Sequence, residues 1–159
     1  KSVSLALETM EEAAGELRNS FGAQLNRRTG EILAALSGNA YESVLVSSDF
    51  DIQVKAGDHF RQYGYLSSGT VDQVYLALRI AISQMIAPED DPLPLFLDDV
   101  FAQYDDDRAK SGLGYLADQG RTHRPDSPQV VLFTCHQHIA NKAQALGLPS
   151  RPLVEGETL

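Results

Sequence analysis

The apolar positions change period along this chain, and the changes mark its elements. Leu7, Met10, Ala14, Leu17 and Phe21 stand alternately three and four residues apart, with Glu8, Glu11, Glu12 and Glu16 off the stripe. That spacing lays one apolar seam along a helix. Two heptads suit either a coiled-coil seam or an amphipathic helix on a globular core. The pattern is helical from the first residue with no cap before it, which predicts a helix continuing upstream in a longer protein. Helical spacing resumes from Glu31 to Leu36 and is expected to stop near Gly38.

Residues 41–55 switch to short strands, Val44–Ser47 and then Phe50–Lys55, where Phe50, Ile52 and Val54 alternate with Asp51, Gln53 and Lys55. The polar, glycine-bounded stretch Gly57–Gly64 reads as a loop. It leads into Leu66-Ser67-Ser68-Gly69-Thr70, a small-residue turn opening a long apolar segment. Ser67 suits a helix cap, and so does Thr70, with Gln73 completing a capping box. From Val71 to Ala87 apolar residues cover nearly the whole circumference, which predicts a buried helix in which Arg79 needs a partner.

The acidic, proline-rich APEDDPLP ends that helix. Leu93–Leu97 reads as a buried strand starting at or after Pro94 and running into Asp98-Asp99. Asp106–Asp118 follows as a helix with acids in its first turn, its regularity weakened by Gly112 and Gly114. GRTHRPDSP is a loop, Val130–Thr134 a second buried strand, and Gln137–Leu146 a helix closed by Gly147. Leu153-Val154 offers at most an edge strand. Strand, helix, strand, helix in this order predicts a right-handed crossover in a parallel sheet.

Composition narrows the classes. With 159 residues and 43% hydrophobic content the chain can bury one sizeable core. It has no apolar run of membrane-spanning length and no signal-peptide pattern at its start, which points to the cytoplasm. Cys135 is the single cysteine, so an internal disulfide is excluded. A net charge of −9 argues against a stand-alone nucleic-acid binder, because phosphate contacts need a basic surface.

Chemistry gathers at three places. The turn at Ser67–Thr70 aims unpaired N–H groups and the positive end of a helix dipole at one point, as phosphate sites do. The two buried strands end in Asp98-Asp99 and in His136, and ligands of parallel sheets collect at strand carboxyl ends. Cys135, His136 and His138 invite a zinc reading, disfavoured because adjacent strand residues face opposite ways. Asp105, just before the Asp106 helix, is a candidate N-cap. No G-x-x-x-x-G-K-[ST] motif occurs.

In order and spacing, LSSGT, the apolar helix, the strand ending in Asp98-Asp99 and the strand ending at His136 resemble the C-terminal lobe of an ABC-type ATPase head of the SMC-like kind. The resemblance extends to the YhaN-like group and covers roughly residues 40–147. The resemblance implies an α/β, P-loop NTPase-like half-head with a mostly parallel sheet flanked by helices. Residues 1–36 would be its helical coiled-coil root and residues 37–159 the lobe carrying signature, Walker B, D-loop and H-loop.

The resemblance also implies roles. Ser67, Ser68, Gly69 and Thr70 correspond to the signature turn, which touches the γ-phosphate on a partner head, with Ser68 and Thr70 replacing the usual glycine and glutamine. Asp98 is the Walker B acid for Mg²⁺, Asp99 the carboxylate that polarises the attacking water, Asp105 the D-loop acid and His136 the switch histidine. Most ABC ATPases have glutamate where Asp99 stands. Aspartate is shorter by about 1.5 Å of reach, and a misplacement of about 1 Å can cost on the order of a hundredfold in rate. Slow hydrolysis follows.

The implied ligands are ATP and Mg²⁺. The implied partners are an N-terminal Walker A lobe of the same protein, a second copy of the head and, through the complete protein, DNA in repair or chromosome maintenance, with no membrane. Two rival readings stand: a non-hydrolysing head using nucleotide as dimer glue, and an unrelated Mg²⁺-dependent phosphohydrolase built on Asp98, Asp99 and Asp105.

Overall fold

One unbroken helix opens the structure. The computed structural model describes residues 2–47, 51–88, 91–121 and 128–153, and the chain divides into two units, Lys1–Ile86 and Ala87–Leu159. Helix α1 spans Ser2–Leu36 without the break expected between Phe21 and Glu31, a length of about 52 Å. Gly30, inside this stretch, serves contact. A Cβ on Gly30 would stand 3.2 Å from Ser43 Cα, so the helix can lie this close to strand β1 (Ser43–Val46) because the side chain is missing. One turn earlier, Asn26 Oδ1 accepts the Val46 amide at 2.9 Å, standing in for a neighbouring strand.

Among the described residues of α1, only those of the last turns are buried. Thr29, Ile32, Leu33 and Leu36 are buried, whereas Leu7 and Met10 of the apolar seam are 57% and 71% exposed. A long helix with an open seam is compatible with a coiled-coil root. It stops as expected, with Gly38 and Asn39 at φ 63° and 65° and the Asn39 amide returning to Ala34 O.

The first unit continues as an antiparallel meander. Strand β1 pairs with β2 (Ile52–Ala56), and β2 with β3 (His59–Gln62), turning through Gly57 at φ 61° and Asp58. Strand β3 replaces part of the loop expected over Gly57–Gly64. All four of its residues are exposed, so it shows no alternation by which a sequence reveals a strand. Phe50, expected to begin β2, lies outside the described residues. A 3₁₀ turn at Tyr63–Tyr65 then delivers the chain to helix α2, Ser68–Ile86.

Helix α2 is buried on one face, not all round. Val74, Leu76, Ala77, Ile80 and Ala81 face the core with Thr70 and Gln73, while Tyr75, Ile82 and Ile86 are exposed. Arg79 is exposed too, so it carries no buried charge needing compensation. Each fully buried Val, Leu or Ile on this face contributes about 1.5–3 kcal/mol. Gln73 does not form the expected capping box; its Nε2 donates to Leu36 O at 3.1 Å and ties α2 to the end of α1.

The second unit holds the parallel pair. Strand β4 (Leu95–Asp98) begins after Pro94 and lies parallel to β5 (Val130–Phe133), with Leu95 opposite Val130 and Asp98 opposite Phe133. Parallel pairing among the described strands is confined to these two. Neither strand is wholly buried as expected: Leu97 is enclosed, Phe96 is 67% exposed and β5 is half-buried.

Helix α3 (Asp106–Arg121) runs unbroken through Gly112 and Gly114 and into the start of the expected 120–128 loop, most of which lies outside the described residues. Ala109, Leu113, Leu116 and Ala117 form its buried face. Helix α4 (Gln137–Ala145) ends at Gly147, φ 73°, and Lys142 on it meets Asp106 of α3 at 3.0 Å. Leu153 is exposed and in no strand; Val154 lies outside the described residues.

Candidate functional site

The signature-like turn is a capped helix start in the first unit. Ser67 is the cap: its Oγ accepts the Thr70 amide at 3.3 Å and its carbonyl accepts the Val71 amide at 2.9 Å. The Ser67 and Thr70 hydroxyls lie 2.8 Å apart, and the Tyr41 hydroxyl lies 3.0 Å from Thr70 Oγ1. Three hydroxyls in a row therefore fix the turn to the segment after α1. Gly69 and Thr70 are buried, whereas Ser67 and Ser68 are exposed. No local pattern pointed to Tyr41, whose partner is remote in the chain.

The acidic and imidazole residues meet in the second unit, because parallel strands in register end side by side. Asp98 closes β4 with its side chain exposed. The ladder runs one residue further, Asp99 N donating to Phe133 O at 2.9 Å, before Asp99 turns with φ 46°. That left-handed conformation is uncommon outside glycine, although aspartate tolerates it. It turns the carboxylate toward the end of β5, where Oδ1 accepts the Cys135 amide at 3.1 Å and Oδ2 accepts the Cys135 thiol at 3.2 Å.

These bonds set the electrostatics. The Cys135 thiol first, then the Thr134 hydroxyl and the Cys135 amide, hold the Asp99 carboxyl below the usual aspartate range, with His136 adding to the effect. The reverse holds for Cys135, pushed up chiefly by its bond to Asp99. His136 caps α4 through its backbone, its carbonyl accepting the Ala140 amide at 3.2 Å, and its own amide is held by Thr134 Oγ1 at 3.1 Å.

Cys135 and His136 do not alternate across a strand as the sequence suggested. Strand β5 stops at Phe133, the chain bends, and one donor atom each from Asp99, Cys135 and His136 lie within 4.8 Å of one another. Cys135 is exposed and its thiol is bound to the acid. Its place follows from register: Asp99 and Cys135 each stand just past the paired ends of β4 and β5.

Asp105 is a helix cap. Its Oδ1 accepts the Arg108 amide at 2.9 Å, its carbonyl accepts the Ala109 amide, and its Oδ2 lies 3.3 Å from Arg108 Nε. The segment before it is anchored by Phe101 and Tyr104, both buried, with rings edge to face at 5.2 Å. Asp98, Asp99 and His136 are thus brought to one strand-end edge, Asp105 heads α3 in the same unit, and Ser67–Thr70 belongs to the other unit.

No family model matches the chain. It is 32% identical over 118 residues to the uncharacterized protein YhaN of Bacillus subtilis (strain 168), an alignment covering 73% of this chain and 12% of that protein. The chain therefore spans about an eighth of the curated relative's length. Among solved structures it is similar to one described under ATP-driven dimerization and DNA-stimulated activation of SMC ATPases, with TM-score 0.63, 19% identity and coverage of 80% of this chain and 77% of the other. The Smc head domain with a coiled coil and joint from Pyrococcus yayanosii gives a TM-score of 0.60 at 19% identity, covering 86% of this chain and 27% of that one. An SMC head bound to the C-terminal winged-helix domain of ScpA gives 0.58 at 20% identity, covering 77% and 37%.

Proposed function

From a chain with the α/β fold of an SMC-type head and a sequence similar to YhaN, we propose that this is the C-terminal lobe of an SMC-like ABC ATPase head, preceded by its coiled-coil root. One observation carries the reading. The parallel register of β4 and β5 sets Asp98 and Asp99 beside Cys135 and His136, so paired acids and an imidazole line one strand-end edge where such folds bind phosphates. ATP would lie across this edge, an N-terminal Walker A lobe and the Ser67–Thr70 turn of a second copy of the head.

The donors fit that use. Asp98 is an exposed carboxylate at a strand end, suited to a hydrated Mg²⁺, which would neutralise charge on the phosphate oxygens when bound. Asp99 is held ionised by its bonds, which weaken it as a base and suit it to orienting water. His136 is half-buried with its backbone fixed, a placement suited to a phosphate contact. Asp105 caps α3 and, in this reading, reaches the partner head as a D-loop acid. The exposed faces at Tyr75, Ile82 and Phe96 are surfaces that further lobes would cover. By kinship the whole protein couples ATP-driven head engagement to DNA maintenance or repair, in the cytoplasm.

A slower or non-hydrolysing head is favoured by one contact: both Asp99 oxygens are engaged by Cys135. Turnover decides between the two readings. With the chain joined to its Walker A lobe, hydrolysis dependent on Mg²⁺ and abolished by Asp99→Asn supports the ATPase, and nucleotide-dependent dimers without turnover support the interaction head. Metal-dependent phosphohydrolase activity of this chain alone would overturn both.

A further inference from the structure

Sulfur, carboxylate and imidazole at one point make a donor set unlike the all-oxygen surroundings that Mg²⁺ takes. We propose that Asp99, Cys135 and His136 form a binding site for a thiophilic divalent cation of the Zn²⁺ class. The three donor atoms lie within 4.8 Å of one another, and the closest pair, Cys135 Sγ and Asp99 Oδ2, is 3.2 Å apart.

Those distances are near what such an ion needs. With Zn–S of about 2.3 Å and Zn–N or Zn–O of about 2.0–2.1 Å, tetrahedral ligand atoms stand roughly 3.4–3.7 Å from each other. The thiol and carboxylate are therefore already at ligand spacing, and the imidazole closes the set by a shift of about 1 Å. Thiolate and imidazole favour Zn²⁺, Co²⁺ or Cd²⁺ over Mg²⁺.

The surroundings prepare the site. The Cys135 amide holds Asp99 Oδ1, and Thr134 Oγ1 holds the His136 backbone amide, so one ligand carboxylate and the main chain that carries the imidazole are fixed by bonds that a metal need not break. The thiol–carboxylate hydrogen bond is replaced: the thiol releases its proton to solvent and both atoms turn to the ion. Three protein ligands leave a fourth position for water, as in exchangeable sites. His138, whose ring lies 5.6 Å from that of His136, is not in the set.

The site stands whether or not the chain belongs to an ATPase, and its test contains no nucleotide. The chain is titrated with Co²⁺ and, in competition with a chromophoric chelator, with Zn²⁺. One equivalent should bind, with a thiolate-to-cobalt charge-transfer band. Cys135→Ser should abolish the band, and Asp99→Asn and His136→Gln should each weaken binding at least tenfold, while His138→Gln leaves it unchanged. Alkylating the single thiol of the native chain gives the same test without a substitution, and bound Zn²⁺ should protect Cys135 from iodoacetamide. No charge-transfer band, or Zn²⁺ affinity unaltered by alkylation of Cys135, overturns the proposal.

Discussion

The Asp99 carboxylate accepts both the amide and the thiol of Cys135, at 3.1 and 3.2 Å, across two strands that end in register. A thiol bonded to a carboxylate deprotonates reluctantly, since the thiolate would face that carboxylate's charge. Alkylation of Cys135 by iodoacetamide should therefore have a pH midpoint above the ordinary thiol value of about 8.5. Removing the charge with Asp99→Asn lowers the thiol pKa, so the midpoint should fall and the rate near pH 7.5 should rise severalfold. Since the thiol is single, total label incorporation reads one site. Identical profiles in the two proteins would show that the contact does not persist in solution.

Gly112 makes a second, purely structural case. A Cβ there would come within 2.5 Å of Phe101 Cε1, and Phe101 is 1% exposed with its ring fixed against Tyr104. Gly114 on the same helix has nothing within 4 Å of its would-be Cβ. Gly112→Ala should destabilise by about 1–3 kcal/mol through overpacking, while Gly114→Ala should gain up to about 1 kcal/mol from helix propensity. Urea unfolding of both variants checks the sign difference. Equal effects would mean that Phe101 can yield.

Much of this architecture was legible where one face is buried and another is wet. Helix α2, both strands of the parallel pair and the stop of α4 at Gly147 followed from period and punctuation. Strand β3 did not, because a strand with all four residues exposed has no alternation to read. Gly112 looked like a weak point in its helix, yet it permits a close approach to Phe101, as Gly30 does to β1, and only tertiary structure reveals either. The apolar circumference of α2 misled about burial: Tyr75, Ile82 and Ile86 stay exposed among the described residues. At the site, strand order led to Asp98, Asp99 and His136, but pairing Cys135 with Asp99 required knowing that β5 bends after Phe133.

Nucleotide affinity of the chain alone should be poor. It carries no G-x-x-x-x-G-K-[ST] cradle, and its strand-end edge is dominated by carboxylates that repel phosphate unless a cation intervenes. Calorimetry with ATP and Mg²⁺ should give a dissociation constant of about 1 mM or weaker. Micromolar binding would remove the need for a separate Walker A lobe.

The Ser67–Thr70 turn separates a cap from a contact, because its two exposed serines differ in what they hold. Ser67 Oγ accepts the Thr70 amide and neighbours the hydroxyl that Tyr41 also reaches, so Ser67→Arg should cost about 1 kcal/mol as a lost cap. Ser68 is exposed and lies outside that hydroxyl chain, so Ser68→Arg should change stability by under about 0.5 kcal/mol. If the turn meets a partner's nucleotide, each arginine fills the space a phosphate must enter, and in a close-packed interface its bulk outweighs its charge. Both variants, joined to the Walker A lobe, should then bind ATP as monomers. Sedimentation with ATP and Mg²⁺ reads the outcome, and the pairing of variants removes the ambiguity of a damaged fold. Loss of dimers in Ser67→Arg alone would trace to the cap, whereas loss in both at near-parental stability would assign the turn to the interface. Dimers in both would leave LSSGT as a helix start and nothing more.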